Sequence, residues 1–210
     1  MTDSAAHADG ALRLDGDHER IAAYYRDWAA DYDHDVMSEG YVSPMIVAGL
    51  AALAVSAETG LDALDAGCGT GLVGRMLGQR RPEVRLHGVD LSPEMAERAE
   101  QTGAYATVAG GVDLLDYAAA EDSPHFPLVL CSGTLTLGHI GIEGLDALLD
   151  LTEPEGHLAV SVRRTHSLED GYPARVAQLA EQGLVEIVSE LINAPYLENG
   201  GADYWLLRRL

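Results

Sequence analysis

The sequence contains no lysine: all 13 fixed cations among its 210 residues are arginines. Chemistry that runs through a lysine Schiff base is therefore excluded. Cations are scarce in total as well, 13 against 34 acidic residues, for a net charge of −21. Affinity for DNA or RNA rests largely on neutralising phosphates, and no basic cluster exceeds pairs such as Arg80–Arg81. No nucleic-acid partner is expected. The negative excess serves solubility or follows from a drift toward Ala, Gly, Asp and Arg; attraction of a cationic substrate is the sharper alternative. Two cysteines, Cys68 and Cys131, are too few for a disulfide framework or a metal site. The histidines form no HxxxH or HxH pair, so no metal is expected. No run approaches the ~18 uninterrupted apolar residues of a membrane span. Met1 to Asp17 has no basic end followed by an apolar block, so it does not read as a secretory signal. A cytoplasmic chain without membrane contact is expected.

What is present suits one globular domain, with 47% apolar residues in a length that supports a full core. Residues 1–17 lack a sustained period and read as a flexible tail. Ile21, Tyr24, Tyr25, Trp28 and Tyr32 fall at three- and four-residue spacing, one face of a helix. Ser43-Pro44 reads as N-cap and first helical residue of a second helix, running to about Glu58. Residues 18–59 thus form a helical cap, ahead of a sheet domain over 60–210.

There, strands and helices alternate. Strands are expected at Leu61–Ala66, Arg85–Val89, Tyr105–Ala109, Phe126–Cys131 and His157–Val162. Helices are expected from Leu72, from Ser92-Pro93, at Ile142–Leu151 and from about Pro173 to Gln182. Val185–Ile192 and Asp203–Arg208, joined by Asn199-Gly200-Gly201, read as a hairpin, so one of the two runs antiparallel. The expected class is α/β: a doubly wound, mostly parallel, seven-stranded sheet with an antiparallel C-terminal hairpin.

Leu64-Asp65-Ala66-Gly67-Cys68-Gly69-Thr70-Gly71 sits where the first strand turns into a helix. Glycines let the backbone turn tightly and approach a ligand, and ligands of open α/β sheets bind outside the carboxyl ends of the strands. Asp90, 19 residues after Gly71, ends the next strand; its carboxylate can accept from a ribose diol, or it caps the helix at Ser92-Pro93. A nicotinamide fold wants a third glycine where Leu72 stands, and Asp65 is out of place beside a pyrophosphate. An ammonium-bearing sulfonium ligand makes better sense of it.

On these residues the chain resembles the class I S-adenosylmethionine-dependent methyltransferases, with a Rossmann-like fold. Asp90 matches the acidic second motif, with Leu91 and Met95 as adenine-side contacts. Pro127-Leu128-Val129-Leu130-Cys131-Ser132 resembles the fourth-strand motif, placing Cys131 near the cofactor pocket. Tyr25 to Asp33, Gly40-Tyr41, Gly138-His139-Ile140 and Ser161-Val162-Arg163 are similar to the methyltransferase-like proteins first noted in the Williams–Beuren chromosomal region, and to their bacterial relatives. The resemblance implies S-adenosylmethionine as cofactor. It also implies an aromatic helix closing over that cofactor, here through Tyr25, Trp28 and Tyr32; the alternative is that this face packs on the sheet, which is open for Tyr25 and favoured for Trp28. The family's Gly-Asp after the third strand is Gly110-Gly111 here, so Gly111-Val112 backbone or Asp113 has to serve the adenine.

Methyl transfer from a sulfonium is an in-line displacement in which the protein chiefly holds acceptor and methyl in line. The acceptor side is expected in the loop from Ser132 to His139, which lacks the Asn/Asp-Pro-Pro-Tyr/Phe signature of amide and adenine amino methylation. His139 is a candidate general base, or a solvent-facing or helix-capping histidine. Arg163 clamps an acidic acceptor or pairs with an acid across the sheet. Tyr41 and Tyr196 are candidate pocket walls, and neither cysteine has a neighbour in sequence that would make it a thiolate. The reading is a methyltransferase for a small-molecule acceptor, with O, N or C open; the alternative is a protein that binds the cofactor without transferring methyl.

Overall fold

The computed structural model describes residues 17–55, 60–135 and 140–210. Among the described residues three helices come first: α1 (His18–Trp28), α2 (Tyr32–Ser38) and α3 (Ser43–Ala54). Asp17 caps α1 by accepting from Arg20 N at 3.0 Å, and α1 buries Ile21 and Trp28. Alternation then begins: β1 (Asp62–Ala66), α4 (Leu72–Arg80), β2 (Arg85–Asp90), α5 (Pro93–Gln101), β3 (Thr107–Gly110) and α6 (Leu114–Ala119). It continues through β4 (Phe126–Leu135), α7 (Glu143–Asp150), β5 (Thr152–Arg163), α8 (Arg164–Glu169) and α9 (Tyr172–Glu181), and closes with β6 (Val185–Leu197) and β7 (Gly200–Arg209).

The seven strands form one sheet in the order β3-β2-β1-β4-β5-β7-β6. The first five run parallel, and β7 is antiparallel to both β5 and β6. Parallel strands covered on both faces carry apolar residues toward each. Leu128, Leu130, Tyr204 and Leu206 face the layer of α3 and α4. Val129, Cys131, Trp205 and Leu207 face the layer of α7 and α9.

Several expectations need correction. Ser43 does not cap α3: Val42 is the N-cap, and the Ser43 hydroxyl turns inward to Ser132 Oγ at 2.9 Å and Ser161 Oγ at 3.0 Å. The third strand starts at Thr107 because Tyr105 turns beneath the glycine loop, its hydroxyl donating to Asp65 Oδ2 at 2.7 Å. Strand β4 continues through Ser132 to Leu135, so half of the expected acceptor loop is sheet. The hairpin turn is Glu198-Asn199, and Gly200 already pairs with Leu197. Helices α6 and α8 lacked a readable apolar period: α6 buries Leu114 alone, and α8 buries His166 and Ser167. The expected tail up to Gly16 lies outside the described residues; α3 stops at Ala54, its C-cap Val55 extended, short of the expected end near Glu58.

The hairpin also fastens the helical layer. Glu198 N donates to Glu39 O at 2.8 Å and Val42 N to Tyr196 O at 3.0 Å. The segment joining α2 and α3 is thereby tied to the end of β6, which stacks Tyr196 edge-on against Tyr41 at 5.1 Å between centroids.

Candidate active site

At the carboxyl end of β1 the chain turns through Gly67, Gly69 and Gly71, all with positive φ. That conformation costs glycine nothing and other residues a good deal. Gly67 N and Cys68 N donate to Val89 O at 2.9 and 3.0 Å, tying the turn to β2. A Cβ on Gly67 would lie 1.9 Å from Thr134 Oγ1, so β4 presses directly on this turn.

Asp90 ends β2 beside the turn. Its Oδ2 accepts from Gly69 N and its Oδ1 from Ser92 N, both at 2.8 Å. Ser92, not Asp90, caps α5, accepting from Met95 N at 3.3 Å. Burial pushes the Asp90 carboxyl up to about 6, with the Ser92 and Gly69 N–H groups pulling the other way.

These elements open on a cleft enclosing about 980 Å³, its open mouth included. Of the residues singled out in the sequence for the cofactor, Tyr25, Tyr32, Gly67, Cys68, Gly69, Asp90, Leu91, Met95 and Val112 line it. Of those singled out for the acceptor, Tyr41 and Ser132 do. Asp65, Gly71, Gly111, Cys131 and Arg163 are not in its wall. Gly71 packs outward against Ala99 and Tyr105. Cys131 is fully buried on the α7 side of the sheet, its thiol pushed up to about 12 by burial. The ion pair considered for Arg163 belongs to its neighbour: Arg164 Nη1 lies 2.6 Å from the buried Asp203. His139 falls outside the described residues.

Asp65 lies fully buried behind the turn. Its Oδ2 accepts from the Tyr105 hydroxyl, and its Oδ1 has no partner among the described residues. Burial raises it to about 7; the Tyr105 hydrogen bond lowers it and the charge of Asp90 raises it further.

Three features had no signal in the sequence. His18 Nδ1 meets Asp113 Oδ2 at 2.8 Å, joining the start of α1 to the start of α6 across one side of the cleft. The Thr70 hydroxyl donates to Asp33 Oδ1, locking α2 onto the glycine turn. Ser43, Ser132 and Ser161 form a hydroxyl chain, and Gly133 N donates to Ser161 Oγ at 3.2 Å. The Tyr41 hydroxyl joins this group: a Cβ on Gly133 would stand 2.5 Å from it. Each feature unites residues far apart in the chain, which local spacing cannot reveal.

A methyltransferase-domain family profile matches residues 64–158. Methyltransferase-like protein 27 of Homo sapiens is 31% identical over 172 residues, which cover 78% of this chain and 67% of that protein. The chain is a class I S-adenosylmethionine-dependent methyltransferase. Trans-aconitate 2-methyltransferase of Streptomyces avermitilis is 38% identical over 103 residues, 47% of this methyltransferase but only 37% of that enzyme. Among solved structures, a TehB-like methyltransferase from Corynebacterium glutamicum superposes with a TM-score of 0.63, covering 90% of this chain and 99% of its own at 18% identity, a likeness of fold.

The cofactor of this methyltransferase combines an adenosine with a cationic methionine tail, and the residues present fit both. Asp90 offers carboxylate lone pairs in the cleft wall. Leu91, Met95 and Val112 offer apolar surface. The glycine turn offers backbone without side chains, and the unpartnered Asp65 Oδ1 is a spare acceptor behind it. When bound, the cofactor supplies an electrophilic methyl on sulfonium.

Proposed function

We propose that this methyltransferase acts on a small molecule held between the helical layer and the wall formed by Ser132 and Gly133. One observation carries the reading. Ile21, Ala22 and Tyr25 of α1 and Tyr32 of α2 line the cleft together with the glycine turn, so the helical layer narrows the space beyond that turn. A concave, largely apolar pocket with a few placed polar groups suits a small ligand. The net charge of −21 disfavours a polyphosphate acceptor. The two free thiols, Cys68 and Cys131, support a reducing, cytoplasmic setting.

In this reading Asp90 and the glycine turn bind the cofactor, with Leu91, Met95 and Val112 around its adenine. Tyr41 and Ser132 orient the acceptor for in-line attack. Burial raises the phenols of Tyr25, Tyr32 and Tyr41 above their ordinary range, so they stay uncharged and position the acceptor without deprotonating it.

The test is S-adenosylhomocysteine release against a panel of phenols, amines and carboxylates, with tRNA and mixed protein as the opposing arm. Turnover is expected on a member of the small-molecule panel. Tyr41→Phe and Ser132→Ala are each expected to raise its KM about three- to tenfold, the worth of one hydrogen bond. Turnover on tRNA or protein alone would overturn the reading.

A further inference from the structure

The geometry points to Tyr105 as a positioning residue for the methyl donor: from beneath the glycine turn it fixes Asp65 and the first turn of α4, and through them the backbone that meets the donor's methionine tail. This rests on the glycine turn being the donor's binding site.

Three glycines from three segments make room for this one ring. A Cβ on Gly74 would lie 2.4 Å from Tyr105 Cζ and 2.6 Å from its hydroxyl oxygen. A Cβ on Gly71 or on Gly88 would lie 3.1 Å from the ring. Gly71 also needs its left-handed φ, but Gly74 and Gly88 have no such need. Glycine inside a helix or a strand costs stability relative to alanine. At these two positions, space for the ring accounts for it.

The hydroxyl then works at both ends. It accepts from Gly74 N at 3.2 Å and donates to Asp65 Oδ2 at 2.7 Å. Gly74 is the third residue of α4, and the N-cap, Gly71, has no side chain to offer that orphan N–H. Tyr105 supplies the missing cap from 31 residues away. A free helix end left without an acceptor is a weak point, and this one carries the turn that faces the cleft. Asp65 is served by the same oxygen. The titratable groups facing Asp65 are Tyr105 ahead of β3, Cys68 of the turn, Asp90 of β2 and Cys131 of β4. Among the described residues none of these is a cation, so the Tyr105 hydroxyl is the group that steadies the ionised carboxylate until a positive charge arrives.

Tyr105→Phe keeps the ring and removes both bonds. Binding is measured by calorimetry for S-adenosylhomocysteine, which has the amino-acid tail, and for 5′-methylthioadenosine, which lacks it. The variant is expected to bind S-adenosylhomocysteine about tenfold more weakly. Its affinity for 5′-methylthioadenosine is expected within about twofold of wild type, inside the scatter of unrelated sites. The pH below which S-adenosylhomocysteine affinity falls is expected to move upward, because Asp65 has lost its donor. Gly74→Ala, whose Cβ displaces the hydroxyl, repeats the experiment should the phenylalanine variant not fold. Equal weakening of both ligands, or an unmoved affinity and pH profile, would overturn the role of Tyr105. Wild-type protein that binds neither ligand would instead remove the donor-site assignment.

Discussion

Asp90 carries two demands that pull apart with pH. Burial lifts it to about 6, yet accepting from a ribose diol requires the ionised form. Affinity for 5′-methylthioadenosine is therefore expected to be flat above about pH 7 and to fall about tenfold per unit below 6. Stability runs the other way. A carboxyl whose folded pKa exceeds its unfolded value of 3.8 favours the folded state at low pH, and that contribution is lost as pH rises through about 6. The melting temperature of unliganded wild type minus that of Asp90→Ala should thus drop between pH 4 and 6 and level off beyond. A difference that rises over this window would show that Asp90 is not desolvated. At this scale the sequence was most readable where one strand–helix–strand unit carries the groups at its carboxyl edge, as with Gly67, Gly69 and Asp90. It was silent on Tyr105, 40 residues from Asp65, because an aromatic ahead of a strand looks the same whether it faces solvent or a helix end.

Among the elements, α2 is held by few ties. It buries Val36 alone; Glu198 N holds its C-cap at Glu39 O, and its side-chain hold on the glycine turn runs through Asp33, bonded to the Thr70 hydroxyl and 3.5 Å from Arg75 Nη1. The Arg75 contact is exposed and adds little. Asp33→Ala is expected to raise the S-adenosylhomocysteine off-rate about three- to tenfold, the worth of one ordinary hydrogen bond, read by stopped-flow displacement. An unchanged off-rate would mean that α2 does not gate the cleft. The cap helices were legible in part: the spacing that marks α1 is real burial at Ile21 and Trp28, and the indole N–H adds a bond to Asp35 Oδ2 at 2.9 Å. Strand lengths were not legible, because the partner decides them. Strand β5 reaches Arg163 by pairing with β7 over His157–Arg163, a register that no local alternation in β5 encodes.

The whole molecule bears 34 acidic and 13 basic side chains, so its folded state is strained by self-repulsion. Screening shortens from about 30 Å at 0.01 M salt to about 8 Å at 0.15 M. The melting temperature should rise by several degrees over that range in sodium chloride, since 1 kcal/mol is worth about 2–4 °C at this size; a fall would mean that attractive ion pairs dominate. The fold class was legible from the strand–helix alternation and from the final hairpin, but the seating of the last strand between β5 and β6 was not, since hairpin order leaves either strand free to join the sheet. The continuation of β4 through Leu135 has a further bearing. Ser132, Gly133 and Thr134 form the irregular stretch between the Cys131–Val160 and Leu135–Val162 pairs, and side-chain bonds from Gly133 N to Ser161 Oγ and between Ser132 and Ser43 tie that stretch down, so one bank of the cleft is anchored to the sheet. Whatever accommodation a guest molecule demands has to come from the opposite bank, the tyrosine-bearing helices, and discrimination among guests is then a matter of fit to an unyielding template on one side only.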